Sequence, residues 1–286
     1  VHSDAAEYDL VAPGSLADVL RMLAESRGNL RPIAGGTELM VALAAGRLAH
    51  RTFVSLAGLR ELRFIEVSGE GIHIGSGATF TDLRRHPMLG RELPLLAQAA
   101  SWTGSIANQN RATLGGNLAN ASPAADAAPA LLIYDAELTL VRAAGSRTLP
   151  YRDFHLGYKQ TALGADELIH SITVKRGLHQ GRVSYLRKVG TRNAMAISKV
   201  VLAGLGRLEG EEIAEIRLAG GSLQATPVRL VQTEAALVGR PRGGQTLAAA
   251  RAALTKEIKP IDDIRSTAQY RVAVAANLLE EFLHML

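Results

Sequence analysis

The 286-residue sequence contains no cysteine. Disulfides, a cysteine nucleophile and an iron–sulfur cluster held by this chain are therefore excluded. Compartment stays open on that ground, because a cysteine-free chain folds in either redox setting. Aromatic residues make up only 4% of the chain, and Ala, Leu and Gly dominate, which favours helices over a large all-β sandwich. No apolar run approaches the roughly 18 residues that span a bilayer. Val1-His2-Ser3-Asp4 lacks the charged-then-apolar pattern of a secretion signal, so the cytoplasm is the expected location. A net charge of +5 is modest, and the basic residues are scattered, without a block of five or interleaved aromatics. Nucleic-acid binding is not expected. The eight histidines (His2, His50, His73, His86, His155, His170, His179 and His284) show no metal-ligand spacing. No Ser-His-Asp or paired-carboxylate arrangement is legible, so neither a catalytic nor a metal-ligating residue is assigned.

What is present suits a folded protein. Hydrophobic residues are 47% and charged residues 21% of the chain, enough to build a core, and the length fits two domains. Ser15-Leu16-Ala17-Asp18 opens a run with Val19, Leu20 and Leu23 at helical spacing, which predicts a capped helix. Residues 30–34 read as a short buried strand ending in Gly35-Gly36, residues 37–48 as a helix capped by Thr37, and residues 52–56 as a returning strand. This β-α-β unit predicts a first lobe over about residues 1–60. Further on, 72–75, 137–141 and 168–174 alternate as strands, and helices are expected after Thr79, over 93–102 and over 127–134. A basic, glycine-containing stretch at 175–181 marks the expected boundary. Beyond it, 183–189, 196–208 and 213–223 read as three strands, followed by helices over 228–238, 245–258 and 268–286.

Two glycine segments carry the chemistry. One is Ile33-Ala34-Gly35-Gly36-Thr37-Glu38-Leu39; the other is Thr113-Leu114-Gly115-Gly116-Asn117-Leu118-Ala119-Asn120-Ala121-Ser122-Pro123-Ala124-Ala125-Asp126. Glycines permit positive φ and remove the Cβ that blocks close approach, so such turns suit a dinucleotide's diphosphate, which needs several N–H donors. A helix N-terminus adds partial positive charge. Two common nucleotide-binding motifs are absent: no G-x-G-x-x-G follows the first strand, and no G-x-x-x-x-G-K-[ST] occurs. Alone, each segment reads first as a structural turn; the two together, the second running on into Asn117, Asn120, Ser122 and Asp126, favour a binding surface.

The pair of segments resembles the FAD-binding subunit of the molybdenum hydroxylases, the medium-chain family of xanthine and carbon monoxide dehydrogenases. Three further stretches are similar to that family: Gly157-Tyr158-Lys159-Gln160-Thr161-Ala162-Leu163 with Asp166-Glu167-Leu168, the run from Lys188 to Val200, and Ser266-Thr267-Ala268-Gln269-Tyr270-Arg271. The likeness covers the whole length in order. It implies an α+β fold: a two-lobed FAD-binding domain of the vanillyl-alcohol oxidase (PCMH) type over 1–176, with lobes at about 1–60 and 61–176. A C-terminal domain over 180–286 would follow, with a three-stranded antiparallel sheet and a three-helix bundle.

By the same resemblance, Arg31, Pro32, Ile33, Ala34, Gly35, Gly36, Thr37 and Glu38 wrap the FAD diphosphate. Thr113, Leu114, Gly115, Gly116 and Asn117 form a second cradle, Asn120 adds a polar contact, and Asp126 holds ribityl or ribose hydroxyls. Ile169 lines the flavin or adenine pocket, and Lys188 stands near the isoalloxazine ring. Plainer readings stand beside these: Asp126 as a helix cap, Lys188 on a solvated strand face, Ile169 in the core, and Trp102 as packing between lobes. One departure is visible, since Gln109 occupies the place of an arginine common in the family.

The resemblance implies an electron-transfer subunit. A large partner chain would carry the molybdenum cofactor and a small one the [2Fe–2S] clusters, assembled as a dimer of heterotrimers. FAD here would pass electrons to NAD⁺ or another acceptor. A purine or xanthine-type substrate is favoured over carbon monoxide, N-heteroaromatic or aldehyde substrates. A stand-alone flavin oxidase and a flavin-free scaffold are the two other classes compatible with these residues.

Overall fold

The computed structural model describes residues 5–192 and 194–286. Asn193, within the stretch from Lys188 to Val200, lies outside the described residues. The first lobe is a three-stranded parallel sheet in the order β1 (Asp9–Val11), β3 (Thr52–Ser55), β2 (Leu30–Ile33). Helix α1 (Leu16–Ser26) covers it. It starts where Ser15 accepts from Asp18 N–H at 3.2 Å, and it ends at Arg27 in the left-handed region, φ 52. Its apolar stripe, Val19 and Leu23, packs on Leu30, Val54 and Leu168, so this small core reaches into the second lobe.

Helix α2 (Leu39–Ala44) is shorter than the 37–48 the sequence predicts. Residues 34–38 form a turn instead, and the N-cap position falls to Glu38, whose side chain makes no capping bond. Thr37 therefore does not cap the helix.

The second lobe is a five-stranded antiparallel sheet, β4 (Ile65–Val67), β5 (Gly71–Gly75), β10 (Leu168–Lys175), β6 (Glu137–Arg142) and β7 (Gly145–Pro150) in spatial order. Between β5 and β6 run α3 (Phe80–Arg85), α4 (Pro87–Glu92), α5 (Pro94–Trp102), α6 (Ile106–Gln109), α7 (Leu114–Ala119) and α8 (Ala128–Ile133). Thr79 and Asp82 form a reciprocal capping box at the start of α3. After β7 comes a small hairpin, β8 (His155–Gly157) and β9 (Gln160–Thr161), and β10 then returns to the middle of the sheet. Every residue of α8 is buried, as expected for a helix apolar on all sides. It lies between its own lobe and the C-terminal sheet, so one core runs from Ile72 and Leu138 through Leu131 to Val201 and Ala219.

The C-terminal domain is an antiparallel sheet, β11 (Val183–Val189), β12 (Val200–Glu209), β13 (Glu212–Gly221) and β14 (Val228–Arg229), with α9 (Val231–Ala235), α10 (Gly244–Glu257) and α11 (Ala268–Met285). The two-domain α+β architecture expected from the sequence is thus present, with two corrections. The sheet has a fourth strand, and the 228–238 helix shrinks to five residues. Both have one cause. Val228 and Arg229 pair with Gly220 and Ala219, while Leu218 N–H donates to Glu234 Oε1 at 2.6 Å, which anchors the short helix to the sheet edge. Strand β12 begins at Val200, not at residue 196. Among the described residues no helix is long and apolar enough to cross a membrane, and no three or more His, Asp or Glu side chains are grouped to hold a metal ion.

Candidate dinucleotide groove

The two glycine segments meet, but they are built differently. In the first, the chain leaves β2 and turns at Gly36, whose φ of 73 suits glycine. A Cβ on Gly35 would stand 2.0 Å from the Arg111 carbonyl oxygen, so backbone lies directly on backbone. Arg111 Nε also donates to Gly35 O at 3.3 Å. The N–H groups of Ala34, Gly35, Gly36, Thr37 and Glu38 find no acceptor among the described residues. Five successive unspent donors in a half-buried turn require water or a ligand. Successive unpaired amides in a turn supply the donor set that an anion-binding nest uses.

The second segment is a helix N-terminus, not the open loop its glycines suggest. Thr113 caps α7, its hydroxyl accepting from Gly116 N–H at 3.1 Å. Leu114 N–H donates to Ala78 O and Gly115 N–H to Ser76 O, each at 2.9 Å, and Asn117 N–H to Thr113 O at 3.0 Å. Its main-chain donors are therefore internally used, which corrects the expectation of a second amide cradle. The glycines serve close approach instead. A Cβ on Gly115 would lie 2.5 Å from Ser76 Cβ, whereas Gly116 faces outward with Ala34 Cβ 3.9 Å from its hypothetical Cβ. Asn117 contributes a side chain: its Oδ1 is buried and has no hydrogen-bond partner in the protein.

Asn120 Oδ1 accepts from Lys159 Nζ at 2.7 Å, and the same ammonium lies 3.4 Å from Glu38 Oε1. The sequence alone assigns Lys159 no role. The only signal is its place in the Gly157–Leu163 stretch, a cation in the turn of a short hairpin. His155, also on that hairpin, pairs through Nε2 with Leu118 O at 3.0 Å and so supports α7 from beneath. Burial lowers its pKa from 6.5, and the Leu118 contact opposes that shift.

The other sequence-selected residues sit elsewhere. Arg31 and Pro32 lie in β2, leading into the turn with Ile33. Ile169 is a buried member of the central core, opposite Leu140 on β6 and beside a bulge in β10. The neighbouring His170 carbonyl accepts from Ser76 N–H at 2.9 Å, which links this strand to the start of α7. Asp126 and Lys188 form a separate buried unit at the domain junction. Lys188 Nζ donates to Asp126 Oδ2 at 2.6 Å and to Trp102 O at 3.1 Å; Ser198 Oγ donates to Asp126 Oδ1 at 2.5 Å. Burial pushes the Asp126 carboxyl up from 3.8, against the pull of Lys188 and Ser198. Asp126 does not cap α8, whose N-cap is Ala127, and Lys188, at 10% side-chain exposure, is not on a solvated face. Gln109 is buried, donating from Nε2 to Ser101 O at 3.0 Å, with its Oε1 unpartnered.

The groove therefore fits a dinucleotide's diphosphate on two counts, unpartnered main-chain donors and a glycine surface that a Cβ would fill, while the orphaned Asn117 Oδ1 suits a donor such as a ribityl or ribose hydroxyl. Among the described residues it contains no nucleophile–base pair.

Comparison with known proteins agrees in chemistry. Residues 6–174 match the model of the FAD binding domain in molybdopterin dehydrogenase, and residues 185–286 that of the CO dehydrogenase flavoprotein C-terminal domain. A putative xanthine dehydrogenase FAD-binding subunit from Escherichia coli (strain K12) is 31% identical over 98% of this chain and 95% of its own length. A glyceraldehyde dehydrogenase medium chain from Sulfolobus acidocaldarius is 29% identical over 93% of both chains. The solved structure of a carbon monoxide dehydrogenase from Hydrogenophaga pseudoflava superposes with a TM-score of 0.91 at 27% identity, covering 96% of this chain and 95% of the other. On these matches the chain belongs to the FAD-binding medium-subunit family of the molybdenum hydroxylases, a family of oxidoreductase flavin subunits.

Proposed function

We propose that this chain holds FAD in the groove between the Ala34–Glu38 turn and α7, as the electron-transfer subunit of a molybdenum hydroxylase complex. The observation that carries the reading is the run of five unpartnered N–H groups on a turn whose Ala34 Cβ lies 3.9 Å from a Cβ placed on the exposed Gly116. Ile33, Ala34, Gly35, Gly36, Thr37 and Glu38 would hold the diphosphate with their backbone, with Arg31 and Pro32 fixing the strand behind them. Thr113, Leu114 and Gly115 would shape the opposite wall, Gly116 would admit the ligand, and Asn117 and Asn120 would add polar side chains. Asp126, Lys188 and Ile169, which lie apart from the turn and α7, would border the far end of the cofactor from the domain junction and the core. Because Lys188 is already paired with Asp126 and both carboxylate oxygens are engaged, these residues would shape that end as a neutral unit and supply no free cation. The FAD-binding domain would run to about residue 176 and the C-terminal domain from about residue 180.

Bound there, FAD would relay electrons from [2Fe–2S] clusters in a small partner chain to NAD⁺ or another acceptor, with molybdenum chemistry on a large partner. This chain's own residues bind and orient; none is asked to move a proton. The lack of cysteine supports a division of labour in which clusters sit on another polypeptide. A dimer of heterotrimers in the cytoplasm completes the reading.

A purine-type substrate is favoured by the relative from E. coli. The alternative, a carbon monoxide, N-heteroaromatic or aldehyde substrate, draws on the structural likeness to carbon monoxide dehydrogenase and on the glyceraldehyde dehydrogenase relative. Purification of the native complex tests the proposal: a yellow chain accompanied by molybdenum- and iron-bearing partners supports it. A lone, active flavoprotein would replace it with a stand-alone oxidase, and a chain that takes up no FAD with a scaffold. Turnover of xanthine against aldehydes and carbon monoxide decides the substrate.

A further inference from the structure

Lys159 touches both walls of the groove at once. From the hairpin turn of the second lobe its ammonium reaches Asn120 beside α7 and Glu38 on the first-lobe turn. Its backbone is left-handed, φ 56, and its N–H donates at 3.3 Å to the carbonyl of Ala121, itself left-handed at φ 48. Two non-glycine residues in this sparsely used conformation meet main chain to main chain beside the groove. Glycine or asparagine adopts it with less strain. Of the two, only Lys159 carries a side chain long enough to bridge the walls.

We propose that Lys159 is a latch that closes the groove over the FAD diphosphate and sets how long the cofactor stays bound. This rests on the reading of the groove as an FAD site. An ammonium carries three N–H donors; Asn120 and Glu38 engage two directions and leave capacity for a bound anion. The bridge is already formed in this structure, where Lys159 and Glu38 are 37% and 62% exposed, so solvent screens the pair and its strength is small. With a ligand seated on the Ala34–Glu38 amides, water is displaced from beside the ammonium and its contacts strengthen. The latch thus acts on release more than on entry. It also joins the two lobes on the groove side, whereas Leu168 and Val19 join them through the small core. Lys159 is a positioning residue, since it holds the walls of the site together.

The test follows FAD release from the full-length chain, reconstituted with FAD, by the return of free-flavin fluorescence after dilution, at low and high salt. Lys159→Met is expected to release FAD about tenfold faster, the scale of losing one charge-assisted hydrogen bond. Glu38→Gln should release it about threefold faster and Lys159→Arg within about threefold of wild type, consistent with a modest exposed pair. Wild-type release should accelerate with salt, and Lys159→Met should lose most of that dependence. The ligand-free melting temperature of Lys159→Met should match wild type. Release from Lys159→Met at the wild-type rate overturns the latch. So does a Lys159→Arg chain that releases FAD as fast as Lys159→Met, or an equal fall in ligand-free melting temperature in both, because either points to a purely structural role. A wild-type chain that takes up no FAD fails earlier, at the cofactor reading itself, and removes the latch with it.

Discussion

Lys188 of the C-terminal sheet and Asp126 of the flavin-binding domain are joined by a buried hydrogen-bonded ion pair, Nζ to Oδ2 at 2.6 Å, across the domain junction. Ser198 holds the other carboxylate oxygen, and Ser222 Oγ donates to Ser198 O at 2.9 Å. Arg271 Nη1 in turn donates to Ser222 O at 3.2 Å, so a polar chain runs from the start of α8 to α11.

Removing one member of this pair leaves an unpaired buried charge. Lys188→Met is expected to cost about 3–5 kcal/mol of stability. The double variant Lys188→Met/Asp126→Asn should cost clearly less, because no uncompensated carboxylate remains. Chemical denaturation of the three chains checks this. A double variant as unstable as Lys188→Met would show that the unpaired carboxylate is not what destabilises the single variant.

The two glycine segments should fail in different ways. Gly35→Ala puts a Cβ 2.0 Å from the Arg111 carbonyl, forcing the lobes apart, and should lower stability by about 3 kcal/mol even without ligand. Gly116 is exposed, and the nearest neighbour of a Cβ there is the Thr113 hydroxyl at 3.0 Å. Gly116→Val should leave ligand-free unfolding close to wild type while abolishing FAD uptake. Calorimetric titration beside thermal melting separates the two outcomes.

Asn117 carries a buried oxygen without a partner, and such an atom costs stability until something donates to it. Asn117→Leu is therefore expected to leave the ligand-free chain as stable as wild type, or more so, while weakening FAD binding at least tenfold, roughly the loss of one hydrogen bond. A variant that loses stability but keeps its FAD affinity would show that the side chain serves the fold alone.

Burial depresses the pKa of His155 below 6.5. A histidine with a folded pKa below its unfolded value contributes stability fully present above the unfolded value and lost as pH falls through the folded one. Stability should decline from pH ~7 towards pH ~5, with His50, whose pKa burial also lowers, adding to the slope. His155→Gln should flatten part of that decline. An unchanged slope would assign the effect to other groups.

Local features are legible where a short window sets them. The Ser15 and Thr79 caps, the alternation in β6 and β10 and the apolar α8 all follow from neighbouring residues. The partition of donors between the glycine segments is not, because it depends on carbonyls of Ser76 and Ala78 that only the fold brings to α7. Lys159 and Glu38 are more remote still, 121 positions apart. The Asp126–Lys188 pair spans 62 positions, and neither partner signals the other. Strand β7 escapes a sequence reading because it is almost wholly exposed and lacks apolar alternation, and β14 because two residues carry no period.

Amide hydrogen exchange at residues 34–38 addresses the central claim most directly. Those N–H groups have no acceptor among the described residues, so they should exchange rapidly in the ligand-free chain and become strongly protected on adding FAD, with little change at Leu114 to Asn117. If FAD binds and the 34–38 amides exchange as fast as before, the diphosphate is not held there and the account is contradicted.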